Sequence, residues 1–105
     1  MVTRNNRNRK HNRRMALSFI ADRLGNDAVT THEMWHFGHH LIERGVTFPQ
    51  HAKRAFLSIN RIDDLGQLLR GHPEFMFVDD VESWSREDGR LRRFRTKIWM
   101  RKHRG

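Results

Sequence analysis

The spacing of the apolar residues changes once along the chain, and this change limits the folds that are open to it. Up to Gly71 the apolar residues recur every three or four positions, which is typical of amphipathic helices. After Pro73 they recur at every second position, which is typical of strands. A run of helices followed by a run of strands predicts an α+β protein.

Four helices are predicted before Gly71, over approximately residues 14–24, 31–44, 49–58 and 61–70. The second begins with the spacing of a capping box, in which Thr30 caps the helix and Glu33 reaches back to the cap. Pro49 fits the first position of the third helix, because its fixed φ suits a helix start. Gly45 and Gly71 stand where the second and fourth helices are expected to end.

A β-hairpin is predicted after Pro73, with strands over 75–81 and 91–100 and a turn or loop over 85–90. Alternation along the second strand gives the hairpin an apolar face and a basic face. The apolar face holds Phe94, Thr96, Ile98 and Met100. The basic face holds Arg93, Arg95, Lys97 and Trp99.

The formal net charge of +9 is concentrated at the two ends of the chain. Residues 1–14 carry six Lys or Arg and residues 90–104 carry eight, and neither segment contains an acidic residue. The middle of the chain holds all 12 acidic residues and is net negative by five. Two segregated basic segments predict contact with a polyanion, since a merely solubilising surface normally mixes the two signs.

Composition excludes several classes of protein. The chain has no cysteine, so neither disulfides nor thiolate metal sites are expected. No apolar run approaches the length of a membrane span, and polar residues follow the basic start where a signal peptide would be apolar. We therefore expect a cytoplasmic, nucleoid-associated protein without a membrane partner. Residues 1–13 are expected to be a disordered basic arm and residues 14–105 a folded domain.

The stretch Leu65-Gly66-Gln67-Leu68-Leu69-Arg70, followed by His72-Pro73-Glu74-Phe75, resembles small winged helix-turn-helix proteins, especially archaeal ones. The Ile98-Trp99 pair near the end of the second strand belongs to the same resemblance, which covers about residues 30–100. It implies a winged helix-turn-helix fold of three to four helices with a C-terminal hairpin as the wing. The long stretch from Phe75 to Trp84 departs from the family pattern and predicts a larger wing.

The resemblance implies that the helix over 61–70 is the recognition helix of a DNA-binding protein, which lies in the major groove. Its face away from Leu65 and Leu69 offers Arg61, Asp64, Gln67 and Arg70. Arg and Gln are the side chains that pair bidentately with guanine and adenine. Asp63 and Asp64 argue against a tight fit to phosphates, although they also suit the positive end of a helix dipole.

The expected nucleic-acid contacts lie in three segments. In the arm they are Arg4, Arg7, Arg9, Lys10, Arg13 and Arg14. In the recognition helix they are Arg61, Gln67 and Arg70. In the hairpin they are Arg90, Arg92, Arg93, Arg95 and Lys97. The expected partner is nucleic acid, with DNA favoured over RNA, and a homodimer is left open.

His32-Glu33-Met34-Trp35-His36 matches the zinc hydrolase motif H-E-x-x-H, which makes His32 and His36 metal candidates. His39 and Glu43 lie on the same predicted helix face. Against catalysis, Glu33 already serves the capping box, and no sheet is predicted before this helix. We therefore expect no catalytic residue, no metal and no other cofactor.

Three functions stay in competition at this point. The favoured one is a DNA-binding transcriptional regulator or chromosome-associated factor. The second is an RNA-binding, ribosome-associated protein, in which an exposed Trp84 or Trp99 could stack on unpaired bases, although each is expected in the core. The third is a zinc metallohydrolase.

Overall fold

The computed structural model describes the backbone of residues 2–102 and the side chains of residues 8–102. Its elements are α1 (Val2–Leu24), β1 (Ala28–Thr30), α2 (Thr31–Glu43), α3 (Ala52–Leu57), α4 (Ile62–Arg70), β2 (Phe75–Glu87) and β3 (Arg90–Arg101). Four helices and a three-stranded antiparallel sheet thus make up the described part of the chain, which confirms the predicted α+β class. No described helix combines the length and apolarity that crossing a membrane requires.

The sheet has the order β1-β3-β2, with β3 in the centre. β1 pairs with the end of β3, from Ala28 opposite Met100 to Thr30 opposite Ile98. Sequence periodicity did not predict β1, because three residues are too few to show alternation. This strand leads directly into α2, so the start of α2 is held against the sheet.

The hairpin of β2 and β3 is longer than predicted. The strands pair out to Glu87 and Arg90, and only Asp88 and Gly89 join them. Both turn residues have positive φ, 52° and 76°, as a type I′ turn requires. The turn thus lies within the turn or loop predicted over 85–90, but it is shorter, because Asp-Gly turns the chain without help from its neighbours.

Strict alternation along β3 is also wrong. Thr96 and Trp99 are both buried although they are three residues apart, and Trp99 is only 1% exposed. The register shifts between Phe77, opposite Trp99, and Asp79, opposite Ile98, so that Val78 forms a bulge in β2. A bulge strengthens the local twist of a strand pair. Trp99 belongs to the core and not to the basic face, and its indole N–H donates to Thr31 of α2.

The core is formed mainly by the helices. Leu17 and Ile20 of α1, Phe56 of α3 and Leu69 of α4 are fully buried. At Gly38 of α2 an added Cβ would lie 2.5 Å from the Phe56 ring, so the close approach of these helices depends on a glycine. Packing of these buried side chains with Phe75 and Trp99 of the sheet fixes the position of α4 relative to the sheet.

Two helix boundaries differ from the predictions. α1 begins at Val2, not near residue 14, because periodicity marks only the apolar part of a helix and Arg and Lys are themselves good helix formers. α3 begins at Ala52, after His51 in the left-handed region at φ 68°, so Pro49 does not start it. The division into an arm over 1–13 and a domain over 14–105 stays a prediction.

Candidate nucleic-acid interface

A surface groove of about 600 Å³ runs between α4 and the hairpin. The lining side chains of α4 include Asp63, Gln67 and Arg70, and those of the hairpin are Asp80, Arg95, Thr96 and Lys97. Thr31 and His32 at the start of α2 also line the groove. The groove brings together four of the residues expected to contact nucleic acid: Gln67 and Arg70 of α4, and Arg95 and Lys97 of β3.

The orientation of α4 follows from its apolar residues. Leu65 and Leu69 are fully buried, which turns Gln67 and Arg70 outwards to the groove. Arg61, also an expected contact, precedes the helix and lies 3.5 Å from the carboxylate of Asp63, and both side chains are more than 70% exposed. The two aspartates of α4 lie in its first turn, where the helix dipole favours negative charge.

The basic strand β3 is partly neutralised by the acidic residues of β2. Lys97 Nζ lies 2.9 Å from Asp80, and Arg93 lies 3.6 Å from Glu82. Arg92 and Glu87 are 3.9 Å apart. Arg90 and Arg95 make no ion pair with the part of the chain that the structure describes. Exposed ion pairs contribute little stability, so phosphates can compete for these basic side chains.

Arg101, one of the basic residues near the C-terminal end of the chain, forms ion pairs within the protein. Its guanidinium donates to Asp22 of α1 and to Glu74 before β2. Burial alone would lower the pKa of Arg101, but these two carboxylates raise it above its ordinary value. Arg101 therefore connects the end of β3 to α1 through its ion pair with Asp22.

The basic residues of α1 divide into two groups. Arg9 and Lys10 are exposed, and the side chains of Arg4 and Arg7 lie outside the described residues. Arg13 donates to Ser58 Oγ at 2.9 Å, and Arg14 donates to the carbonyl of Gly71 at 2.8 Å. Because Gly71 follows α4 directly, Arg14 places the basic part of α1 beside the end of that helix.

The capping box predicted from Thr30 and Glu33 is confirmed. Thr30 Oγ1 accepts from the backbone N–H of Glu33 at 3.1 Å, and the N–H of Thr30 donates to Glu33 Oε1 at 3.0 Å. The carboxylate of Glu33 is thus engaged at the start of α2.

The two histidines of the zinc motif have different surroundings. His32 Nδ1 lies 2.8 Å from Thr96 Oγ1, and its ring packs against Phe94. Burial, and secondarily the charge of His36, lower the pKa of His32. His36 is exposed, and His39 packs between the rings of Trp35 and Phe56. Among the described residues no three His, Cys, Asp or Glu side chains converge in a way that could hold a metal.

Sequence reasoning missed a polar cluster where α1 meets the start of β2. His72, which is 4% exposed, accepts from the N–H of Glu74 with Nδ1 at 3.0 Å. Its Nε2 therefore carries the proton and donates to the carbonyl of Arg14, also at 3.0 Å. Ser18 Oγ donates to Glu74 Oε2 at 2.9 Å. A protonated Nε2 cannot accept the hydroxyl proton of Ser18, so Ser18 donates to Glu74 and the cluster connects α1 to the start of β2.

Comparisons with family models, with curated proteins and with solved structures find no match to this chain.

Proposed function

We propose that the protein binds duplex DNA as a winged helix-turn-helix protein, with α4 as the recognition helix and the β2–β3 hairpin as the wing. The observation that carries the proposal is the position of α4 between the two basic segments of the chain. Arg14 of α1 contacts Gly71 at the end of α4, and Arg95 of β3 lies across the groove from Arg70.

Within this proposal the basic residues have different roles. Five exposed basic side chains hold phosphates, which positions the protein on the duplex but carries no sequence information; they are Arg9, Lys10, Arg90, Arg92 and Arg95. Gln67 and Arg70 point away from the core and supply the donors and acceptors that base edges recognise. Asp63 and Asp80 in the groove repel phosphates and so restrict how the duplex can enter it.

The ion pairs of the hairpin are compatible with binding. A phosphate that approaches Lys97 or Arg93 displaces Asp80 or Glu82 at a cost of about 1 kcal/mol or less, because exposed pairs are weak. The acidic residues therefore lower the affinity for any polyanion without preventing the contact.

The proposal is tested by the salt dependence of binding to a labelled duplex. Five phosphate contacts predict a slope of about −4.5 for log affinity against log salt. Replacing Arg95 in the groove with alanine removes one phosphate contact and should make the slope shallower by about 1. The matched control is Arg44→Ala, an exposed arginine at the far end of α2, about 20 Å along the helix from the groove.

Two results contradict the proposal: no binding to duplex DNA at low salt, or the same slope in the groove variant as in Arg44→Ala.

RNA binding is the second candidate, because Trp84 is 60% exposed on an arginine-rich hairpin. Aromatic side chains that project from a basic surface suit unpaired RNA bases. The same titration with a structured RNA, performed in parallel, separates the two: tighter binding to RNA than to duplex DNA at equal salt favours this candidate.

A further inference from the structure

The end of the hairpin, residues 84–93, extends beyond the body of the protein, and we call it the outer hairpin. α2 packs against β3 at Thr96 and Phe94 through the side chain of His32. Beyond that contact, all residues from 86 to 93 are exposed. The outer hairpin is therefore held by its own cross-strand pairs and by the Asp88-Gly89 turn.

Two large apolar side chains of the outer hairpin lie on one face. Trp84 is opposite Arg93 and Leu91 is opposite Arg86, so Trp84 and Leu91 are diagonal neighbours across the two strands. Trp84 is 60% exposed and Leu91 is 63% exposed. The two side chains together expose a large apolar area to solvent, and no other helix or strand among the described residues packs on them.

The indole of Trp84 is held in place on one side. The guanidinium of Arg93 lies over the ring, 5.9 Å from its centroid, and also lies 3.6 Å from Glu82. No other ring or cation contacts Trp84 within the described residues. One π-face of a positioned indole is thus available to a partner.

The charge of the outer hairpin selects the chemistry of that partner. It carries four arginines, Arg86, Arg90, Arg92 and Arg93, against Glu87 and Asp88. A partner that places a flat apolar surface on Trp84 must also bring negative charge to Arg86 and Arg93, which lie on the same face of the hairpin. A nucleotide combines both properties, because its base stacks on an aromatic ring and its phosphate pairs with arginine.

We propose that Trp84 stacks on an unpaired base, so that the protein binds DNA with unpaired bases more tightly than fully paired duplex. This inference rests on the proposed DNA binding and deepens it, since it names the class of DNA that the wing recognises. Arg86, which lies on the same face of the hairpin as Trp84, then holds a phosphate beside the stacked base.

The test uses two duplexes of the same sequence, one fully paired and one with a single unpaired 2-aminopurine in the centre. Binding is measured by anisotropy, and stacking by the change in 2-aminopurine fluorescence. Trp84→Ala should weaken binding to the unpaired duplex by roughly 5- to 150-fold and abolish the fluorescence change. Binding to the paired duplex should change by no more than about twofold, which is the range expected for a surface substitution.

Two variants serve as controls. Trp84→Phe keeps an aromatic ring and should retain most of the preference for the unpaired base. Leu91→Ala removes an equally exposed apolar side chain from the same face and should bind both duplexes as the wild type does. Thermal unfolding of each variant, followed by circular dichroism, establishes that it is folded.

The outcomes separate this inference from the proposed function. Equal losses on both duplexes, equal effects of Trp84→Ala and Leu91→Ala, or no fluorescence change on binding overturn the stacking role while DNA binding stands. If the wild type binds neither duplex at low salt, both proposals are wrong.

Discussion

The inner hairpin, residues 75–83 with 94–101, and the outer hairpin consist of the same two strands but differ in what surrounds them. In the inner hairpin Trp99 is buried and donates to Thr31 Oγ1 of α2 at 2.9 Å. In the outer hairpin Trp84 is exposed, so the expectation that it lies in the core is wrong, and the cross-strand Arg93 lies over its ring. A tryptophan therefore stabilises the core in the inner hairpin, whereas a tryptophan in the outer hairpin is part of the solvent-exposed surface. Whether the side chain is buried or exposed depends on its distance from the helices.

The largest expected difference between the two parts is in the tryptophans. Trp99→Ala leaves a cavity in the core and an unpaired Thr31 hydroxyl, and should lower the free energy of unfolding by about 3–5 kcal/mol. Trp84→Ala loses one cross-strand pair and should lower it by less than about 1 kcal/mol. Urea denaturation followed by circular dichroism measures both. Similar losses would mean that the outer hairpin is as much part of the core as the inner one.

A smaller difference is expected between two arginines of β3. Arg101 is 24% exposed and binds two carboxylates, so Arg101→Ala should lower the free energy of unfolding by about 1–2 kcal/mol. Arg92→Ala, which breaks one exposed pair with Glu87, should change it by less than about 0.5 kcal/mol. In salt titrations of DNA binding the larger effect should come from Arg92→Ala. This variant should make the slope of log affinity against log salt shallower, whereas Arg101→Ala should not change it. A shallower slope in Arg101→Ala would show that this arginine also contacts a phosphate.

The smallest expected effect is a pH dependence from His32 and His72, which pack against Phe94 and Phe75 of the inner hairpin. Burial lowers the pKa of both His32 and His72, so the unfolded chain binds more protons than the folded one once the pH falls below the ordinary histidine pKa of about 6.5. The free energy of unfolding should therefore decrease as the pH falls from 7.5 to 5. The variant with both histidines changed to glutamine should show a shallower decrease. An equally steep decrease in that variant would assign the effect to other groups.

The predictions that held depend on local chemistry. The capping box needs only Thr30 and Glu33 at the right spacing, and their reciprocal hydrogen bonds form as expected. The burial of Leu65 and Leu69 followed from helical spacing, and with it the outward position of Gln67 and Arg70. The candidate site was predictable to the extent that it rests on such local patterns.

Several features that the sequence did not predict depend on contacts between distant segments. β1 is formed by pairing with residues 98–100 of β3, and nothing in its three residues marks it as a strand. The bulge at Val78 and the burial of Trp99 arise where β2 and β3 meet the helices. The hydrogen bond of Arg14 to Gly71 spans 57 positions and is invisible to any local pattern.

The sequence by itself determined the α+β class, the order of helices before hairpin, and the concentration of positive charge at both ends. These depend on periodicity and composition, which act locally. Only the tertiary structure decided which tryptophan is buried, which arginines are already bound, and that both basic segments flank α4. The physical reason is that burial and ion pairing depend on neighbours far away in the sequence, which the folded backbone alone brings together.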